Sequence, residues 1–191
     1  SASKEFDNST NKWVVPSSDA FSARDVNSKD FGVRLIDVNN DGFVDIAKAK
    51  QGETHTTKLN NKIDGWNASS LFLIPSGIEI VDSSNVDQGV RFNDINEDGL
   101  IDILKAKEGE TKKVYLNNGT GWIDATANWS IPINFIDGSS NDLGVRLIDF
   151  NGDGRVDILV ARKPSTKNAY VNNGSGWGSI SGWDTPEFFV E

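Results

Sequence analysis

The chain of 191 residues contains no cysteine. Disulfides and thiolate zinc sites are therefore excluded, and the composition says nothing of the redox compartment. There is one histidine, His55, in the polar run GETHTTK, which has no counterpart elsewhere and reads as a surface loop. That leaves little from which to build nucleophilic or acid–base catalysis. No apolar run approaches the roughly 18 residues of a membrane span, and no signal-peptide pattern opens the chain. Positive charge is scarce: 19 Lys and Arg face 28 Asp and Glu, for a net charge of −9. No basic stripe is present to follow a nucleic-acid backbone. What is present is 37% hydrophobic and 25% charged residues, 18 Gly and six Trp. That is the composition of a soluble globular protein with enough chain to bury a core.

The sequence repeats itself. GVRLIDVNNDGFVDIAKAK begins at Gly32, GVRFNDINEDGLIDILKAK at Gly89 and GVRLIDFNGDGRVDILVAR at Gly144, at intervals of 57 and 55 residues. LNNKIDGW, LNNGTGW and VNNGSGW follow in register and end at Trp66, Trp122 and Trp177; IEIVD, INFID and EFFVE end at Asp82, Asp137 and Glu191. Residues 4–31 match the second half of a repeat, with Trp13 in the place of Trp66 and Asp30 in that of Asp87 and Asp142. The expected organisation is one repeat domain: a half repeat over 1–31 and full repeats over 32–88, 89–143 and 144–191. Both ends fall inside the period, as in a piece of a longer array.

Local signals within a repeat are those of strands. VRLIDV and FVDIAKA are short, rich in β-branched and apolar residues, and separated by an Asn-Asp-Gly turn. KVYLNNGTGW and AYVNNGSGW place Asn-Gly after a strand-like run, a hairpin signal. SLFLIP and WSIPINFI supply a fourth segment whose proline suits an edge strand. No helix-length amphipathic stretch is found. The fold class predicted is all-β, with propeller-type blades of four antiparallel strands. A lone four-stranded sheet cannot bury both faces, so blades must pack on blades. Three and a half blades do not close a ring. Further blades from a second copy of the chain, or from a longer parent protein, are expected partners.

Each repeat carries D-x-N-x-D-G-x-x-D between its first two strands. The side chains of Asp37, Asn39, Asp41 and Asp45, with the carbonyl of Phe43, form the first set of oxygens. Asp94, Asn96, Asp98, Leu100 and Asp102 form the second, and Asp149, Asn151, Asp153, Arg155 and Asp157 the third. Hard oxygens at positions 1, 3, 5, 7 and 9, with a Gly for a sharp turn at 6, suit Ca²⁺. Mg²⁺ fits less well because it keeps its waters. Position 12 is Lys48, Lys105 or Val160 in place of the Glu of an EF-hand. Without a cation each loop crowds like charges together, which raises pKa values and costs stability. Three calcium sites are expected.

These loops, on strands and in blade-length repeats, resemble the FG-GAP and VCBS repeats of integrin-type β-propellers. The LNNGTGW element is similar to repeats of some propeller lectins and of Rhs and toxin-complex shells. The resemblance covers nearly the whole chain and implies a calcium-binding propeller.

Two sets of side chains are candidates for contact with a ligand. Arg34, Arg91 and Arg146 stand two residues after each repeat's Gly, where they can face a ligand or brace Asp30, Asp87 and Asp142. Trp66, Trp122 and Trp177 can stack on sugar rings or fill the space between blades. Trp129 and Trp183 are less regular and make better sugar-binding candidates for that reason. Lys48, Lys50, Lys105, Lys107 and Arg162 read as a solvated strand face. The expected function is a calcium-stabilised, non-catalytic binding module outside the cell, recognising glycans or a protein surface. The alternatives are a shell or scaffold module of a larger secreted protein and, far behind, a hydrolase.

Overall fold

A computed structural model describes residues 29–183 and 185–190. The predicted half repeat therefore lies outside the described residues, apart from its last three positions. Among the described residues there is no helix, and twelve strands form three antiparallel sheets of four, each within one repeat. The first blade contains β1 (Val33–Ile36), β2 (Asp45–Lys48), β3 (Thr56–Asn60) and β4 (Trp66–Ser69). The second contains β5 (Val90–Asn93), β6 (Asp102–Lys105), β7 (Lys113–Asn117) and β8 (Trp122–Asp124). The third contains β9 (Val145–Ile148), β10 (Asp157–Arg162), β11 (Thr166–Asn172) and β12 (Trp177–Ile180).

Strands pair in chain order, so each blade is a meander of three hairpins. Register places the last Asp of every acidic loop at the head of a second strand: Ile36 pairs with Asp45, Asn93 with Asp102 and Ile148 with Asp157. At the next turn Asn60, Asn117 and Asn172 pair with Trp66, Trp122 and Trp177. The fourth strand thus starts at the Trp. The proline-bearing segments expected to supply it, SLFLIP and WSIPINFI, are irregular connections. They buy their place through side chains instead: Phe72, Ile74, Trp129, Ile131 and Phe135 are all buried.

Blades do pack on blades. Between the first and second, Ala47 and Ala49 meet Ile74, Ile78, Ile80 and Val81 of the connection and Val90 and Ile103 of the next sheet. Between the second and third, Leu104 and Val114 meet Trp129, Ile131 and Phe135, with Ile158 and Val160 opposite. Each such Ile or Phe contributes about 1.5–3 kcal/mol on burial, so the junctions carry much of the stability.

The lysines of the second strands do not form a solvated face. The Lys48, Lys50, Lys105 and Lys107 side chains are 14%, 13%, 10% and 14% exposed. Their stems cover apolar surface while their ammonium groups reach Glu53 in the first blade and Glu110 in the second, at 2.8–3.7 Å. Glu53 and Glu110 occupy equivalent Gly-Glu-Thr turns, so the run around His55 has a counterpart after all. Only the histidine is unmatched. It is half-buried, with Nδ1 2.9 Å from the carbonyl oxygen of Ile74.

Candidate metal centres and inter-blade clefts

The three acidic loops share one backbone. Position 4 has positive φ in each (Asn40 55°, Glu97 64°, Gly152 80°), as does the Gly at position 6 (Gly42 84°, Gly99 82°, Gly154 94°). Two left-handed residues fold the loop back on its first Asp. Asp37 accepts from the N–H groups of Asp41 and Gly42 at 3.1 and 2.8 Å. Asp94 accepts from Glu97 and Gly99 at 2.8 and 2.9 Å, and Asp149 from Gly152 and Gly154 at 2.7 and 2.9 Å. Asn39, Asn96 and Asn151 each accept from the amide two residues on and donate through Nδ2 to Asp41, Asp98 and Asp153. Those Asp in turn accept the N–H of Phe43, Leu100 and Arg155 at 2.8–3.0 Å.

The ninth residues behave differently. Asp45, Asp102 and Asp157 are fully buried. One oxygen of each accepts the backbone N–H of Asn60, Asn117 or Asn172, at 2.8–2.9 Å, tying loop to hairpin. The other oxygen of Asp45 accepts from Val38, and that of Asp102 from Ile95, both at 3.0 Å. Burial raises all three carboxyls, and the first and fifth Asp of each loop add repulsion. Asp102 is pushed up to about 7. Asp41 lies on the other side of its ordinary value: against the cost of burial, the Phe43 amide, Asn39 and Lys62 hold it low.

Whether a hard cation fits can be judged from the donors. Every loop presents carboxylate, amide and carbonyl oxygens as donors to a cation, and an oxygen that accepts a single hydrogen bond keeps a second lone pair. Asp157 Oδ2 is buried without a hydrogen-bond partner within ordinary limits, although the Phe150 amide lies close enough to lower the carboxyl somewhat. Such an orphan is costly unless something neutralises it. Among the described residues, no three carboxylate or imidazole side chains are already gathered as a metal cluster. The outer oxygens are turned onto loop amides and, at Asp41, onto Lys62 Nζ at 3.3 Å. The donor set fits a hard cation; the carboxylates have not converged on one.

All three arginines brace an Asp, and two of them line a cleft. Arg34, Arg91 and Arg146 pair with Asp30, Asp87 and Asp142 at 2.8, 2.9 and 3.0 Å. Each Asp sits four residues before its Arg and also accepts the N–H of the repeat's Gly. At the inner strands β5 and β9, Arg91, Asn93, Asp142 and Arg146 surround a cavity of about 340 Å³ with Phe92 and Leu147 in its walls.

The tryptophans divide by depth. Trp66, Trp122 and Trp177 are half-buried. Trp177 stands edge-on to Trp129, with ring centroids 5.4 Å apart, and donates to the Val156 carbonyl at 2.9 Å. Trp129 is 6% exposed and has no open face for a sugar. Trp183 is 45% exposed and lies 4.7 Å from the Phe150 ring. Residues not singled out from sequence are Asn60, Asn117 and Asn172. The signal was present in the recurring Asn-Asn of each repeat.

Residues 94–160 match the family model described as FG-GAP-like repeat. No curated protein matches the sequence. Among solved structures, a lectin of Agrocybe aegerita with specific recognition of non-reducing terminal N-acetylglucosamine aligns with 75% of this chain and 36% of its own, at 20% identity and a TM-score of 0.55. The Photorhabdus luminescens Tc holotoxin pore aligns with 79% of this chain and 7% of its own, at 18% identity and a TM-score of 0.50. The chain therefore spans about a third of the lectin and a small part of the toxin. At these identities the likeness is one of fold. The matched span starts at the first Asp of the second loop and runs through the third, and the first blade is built to the same plan. Residues 94–160 are thus similar to FG-GAP-like repeats, and they sit in an array of β-propeller-type blades.

Proposed function

We propose that this chain is a calcium-stabilised, non-catalytic propeller module acting outside the cell, where it binds glycans in the clefts between its blades. The observation that carries the calcium reading is one loop geometry built three times, each ending on a fully buried Asp. Asp37, Asn39, Asp41, Asp45 and the Phe43 carbonyl would hold one ion. Asp94, Asn96, Asp98, Asp102 and the Leu100 carbonyl would hold a second; Asp149, Asn151, Asp153, Asp157 and the Arg155 carbonyl would hold a third. The ion supplies the positive charge that offsets the clustered carboxylates. Calcium outside cells is abundant enough for weak sites, which favours that compartment.

For glycans, the support is the cleft lined by Arg91, Asn93, Asp142 and Arg146. It offers donors and acceptors for hydroxyl groups beside the apolar walls of Phe92 and Leu147. The only histidine is engaged with a backbone carbonyl, in keeping with a binder. Because the lectin of similar fold recognises terminal N-acetylglucosamine, glycans ending in that sugar are the first probes. On a glycan array in calcium, the wild type should bind and Arg91→Met with Arg146→Met should not. The bracing pairs are half-exposed and contribute about 0–1 kcal/mol each, so the double variant should still fold. Absence of wild-type binding to any glycan would remove the lectin reading.

Calcium is tested separately. At 100 times its Kd, an ion that binds only the folded state adds about 2.7 kcal/mol per site. Melting should therefore fall when chelator strips the protein and recover on adding Ca²⁺, with a smaller recovery in Asp98→Ala, which removes the second loop's share and leaves the other two sites. An unchanged melting temperature in verified metal-free protein is the contrary result.

A second reading has its own observation. Trp183, Ile180 and Phe189 of the third blade are 45%, 41% and 37% exposed, whereas Trp129, the counterpart of Trp183 in the second blade, is buried at the junction with the third. That favours docking of a further blade, from a second copy or a longer parent, in a shell or scaffold role.

A further inference from the structure

The three acidic loops are joined by a continuous run of buried hydrogen bonds. Asn117, at the end of β7, is 1% exposed and donates through Nδ2 to the carbonyl of Val38 at 2.7 Å. Val38 is the second residue of the first blade's loop, 79 positions away in the chain. Asn172, at the end of β11, is equally buried and donates to the carbonyl of Ile95, the second residue of the second loop, at 2.8 Å. The backbone N–H groups of the same two Asn bond Asp102 and Asp157, the ninth residues of their own loops. Asp102 also accepts the N–H of Ile95. The run is thus Asp45, Val38, Asn117, Asp102, Ile95, Asn172, Asp157. Every member is buried.

A second contact joins the loops at the surface. The Asn40 amide lies 3.3 Å from the point a Cβ on Gly99 would occupy, and the Glu97 carboxylate 3.4 Å from that on Gly154. Glu97 also meets Arg155 Nε at 3.5 Å. The fourth residue of one loop rests on the glycine of the next.

We infer that the loops order as one unit, with Asn117 and Asn172 as positioning residues through which each blade sets the loop of the blade before it. Oδ1 of each Asn accepts the N–H of Gly119 or Gly174 at 3.0 and 2.9 Å, which fixes the carboxamide and aims its NH₂ across the junction. When a loop is ordered, its ninth Asp holds this Asn, and the Asn holds the carbonyl of the preceding loop. The ordering cost of the preceding loop is then partly met in advance. Resting on the calcium reading above, this predicts that a cation at one loop raises the affinity of its neighbour, reciprocally. Asn60 is a built-in control: among the described residues its Nδ2 reaches Val44 of its own blade, at 3.4 Å, and no preceding loop.

The test uses the full chain as wild type, Asn60→Ala, Asn117→Ala and Asn172→Ala. Hydrogen exchange without metal is read first. Asn172→Ala should speed exchange at the Ile95 amide and Asn117→Ala at Val38, with Asn60→Ala changing neither. Calcium titration is read second. Disabling the third loop with Asp153→Ala should weaken the second loop about tenfold, within the usual range of coupling, and should have no such effect once Asn172 is alanine. Where an alanine variant does not fold, Asn→Ser keeps the acceptor for the glycine amide but cannot span the junction. Exchange at Ile95 and Val38 identical to that of the Asn60 control overturns the inference. Absence of calcium binding at every loop removes the cation reading and its linkage, and the exchange result then decides mechanical coupling alone.

Discussion

Gly89 holds φ at +71°, and a Cβ there would stand 2.9 Å from the carbonyl oxygen of Ala106. Its own N–H goes to Asp87 at 2.7 Å, and its carbonyl takes the N–H of Ala106 at 3.1 Å. Gly32 and Gly144 sit in the same bind, 2.6 and 2.5 Å from Ala49 and Ala161. Gly42 has a similar φ of +84° with nothing within 4 Å. The two kinds of glycine should therefore respond differently to alanine. Gly42→Ala carries only the left-handed penalty, about 1–2 kcal/mol. Gly89→Ala adds a clash with backbone, for a total of about 2–4 kcal/mol. Urea unfolding of both variants checks this, and equal losses would show that close approach is not what the repeat's first Gly serves. The recurrence of that Gly was legible in the sequence. Its reason was not, because the opposing carbonyl comes from another strand.

At the scale of the element, the loop between first and second strands was legible in full, since its donors and turn residues are contiguous. Its ninth Asp was read only as a ligand, whereas in the fold Asp45, Asp102 and Asp157 also close the hairpin by bonding an amide 15 residues on. The fourth strand was misplaced. Alternating apolar residues in SLFLIP look like a strand, but Phe72 and Ile74 use that alternation to fill the junction while the ladder ends at Ser69. The lysines were misread for a related reason: a charged residue on a strand looks solvated until its partner is known. Lys105 lies 2.9 Å from Glu110 and 3.3 Å from the Gly77 carbonyl, with its side chain 10% exposed. Removing that partner leaves a largely buried cation short of its counter-charge. Glu110→Gln should cost about 1–3 kcal/mol, read as a lowered denaturation midpoint. Glu108→Gln, three residues after Lys105, exposed and still able to accept the Gly138 amide, should cost under about 0.5 kcal/mol.

At the scale of the whole molecule, the described residues of the three blades fill two junctions and leave the outer face of the third blade open. Trp129 shows what the second blade's face does when a blade follows it: it is buried against Trp177. Trp183 shows the same type of residue with the Phe150 ring beside it and nearly half its surface open. If a second copy supplies the next blade, sedimentation should show concentration-dependent association that Trp183→Ser abolishes while leaving the melting temperature nearly unchanged. A wild type that stays monomeric at every concentration overturns the second-copy reading. What the sequence by itself determined is the period, the all-β character, the oxygen donors of the loops and the recurrent Gly, Arg and Trp, because each is written within a single repeat and follows from local sterics and donor chemistry. Only the tertiary structure decided which Trp is buried, that the lysines are covered and that Asn117 and Asn172 reach the preceding loop. The Asn contacts join residues nearly 80 positions apart, and the burial of Trp and Lys depends on which surfaces pack against them, which no local pattern encodes.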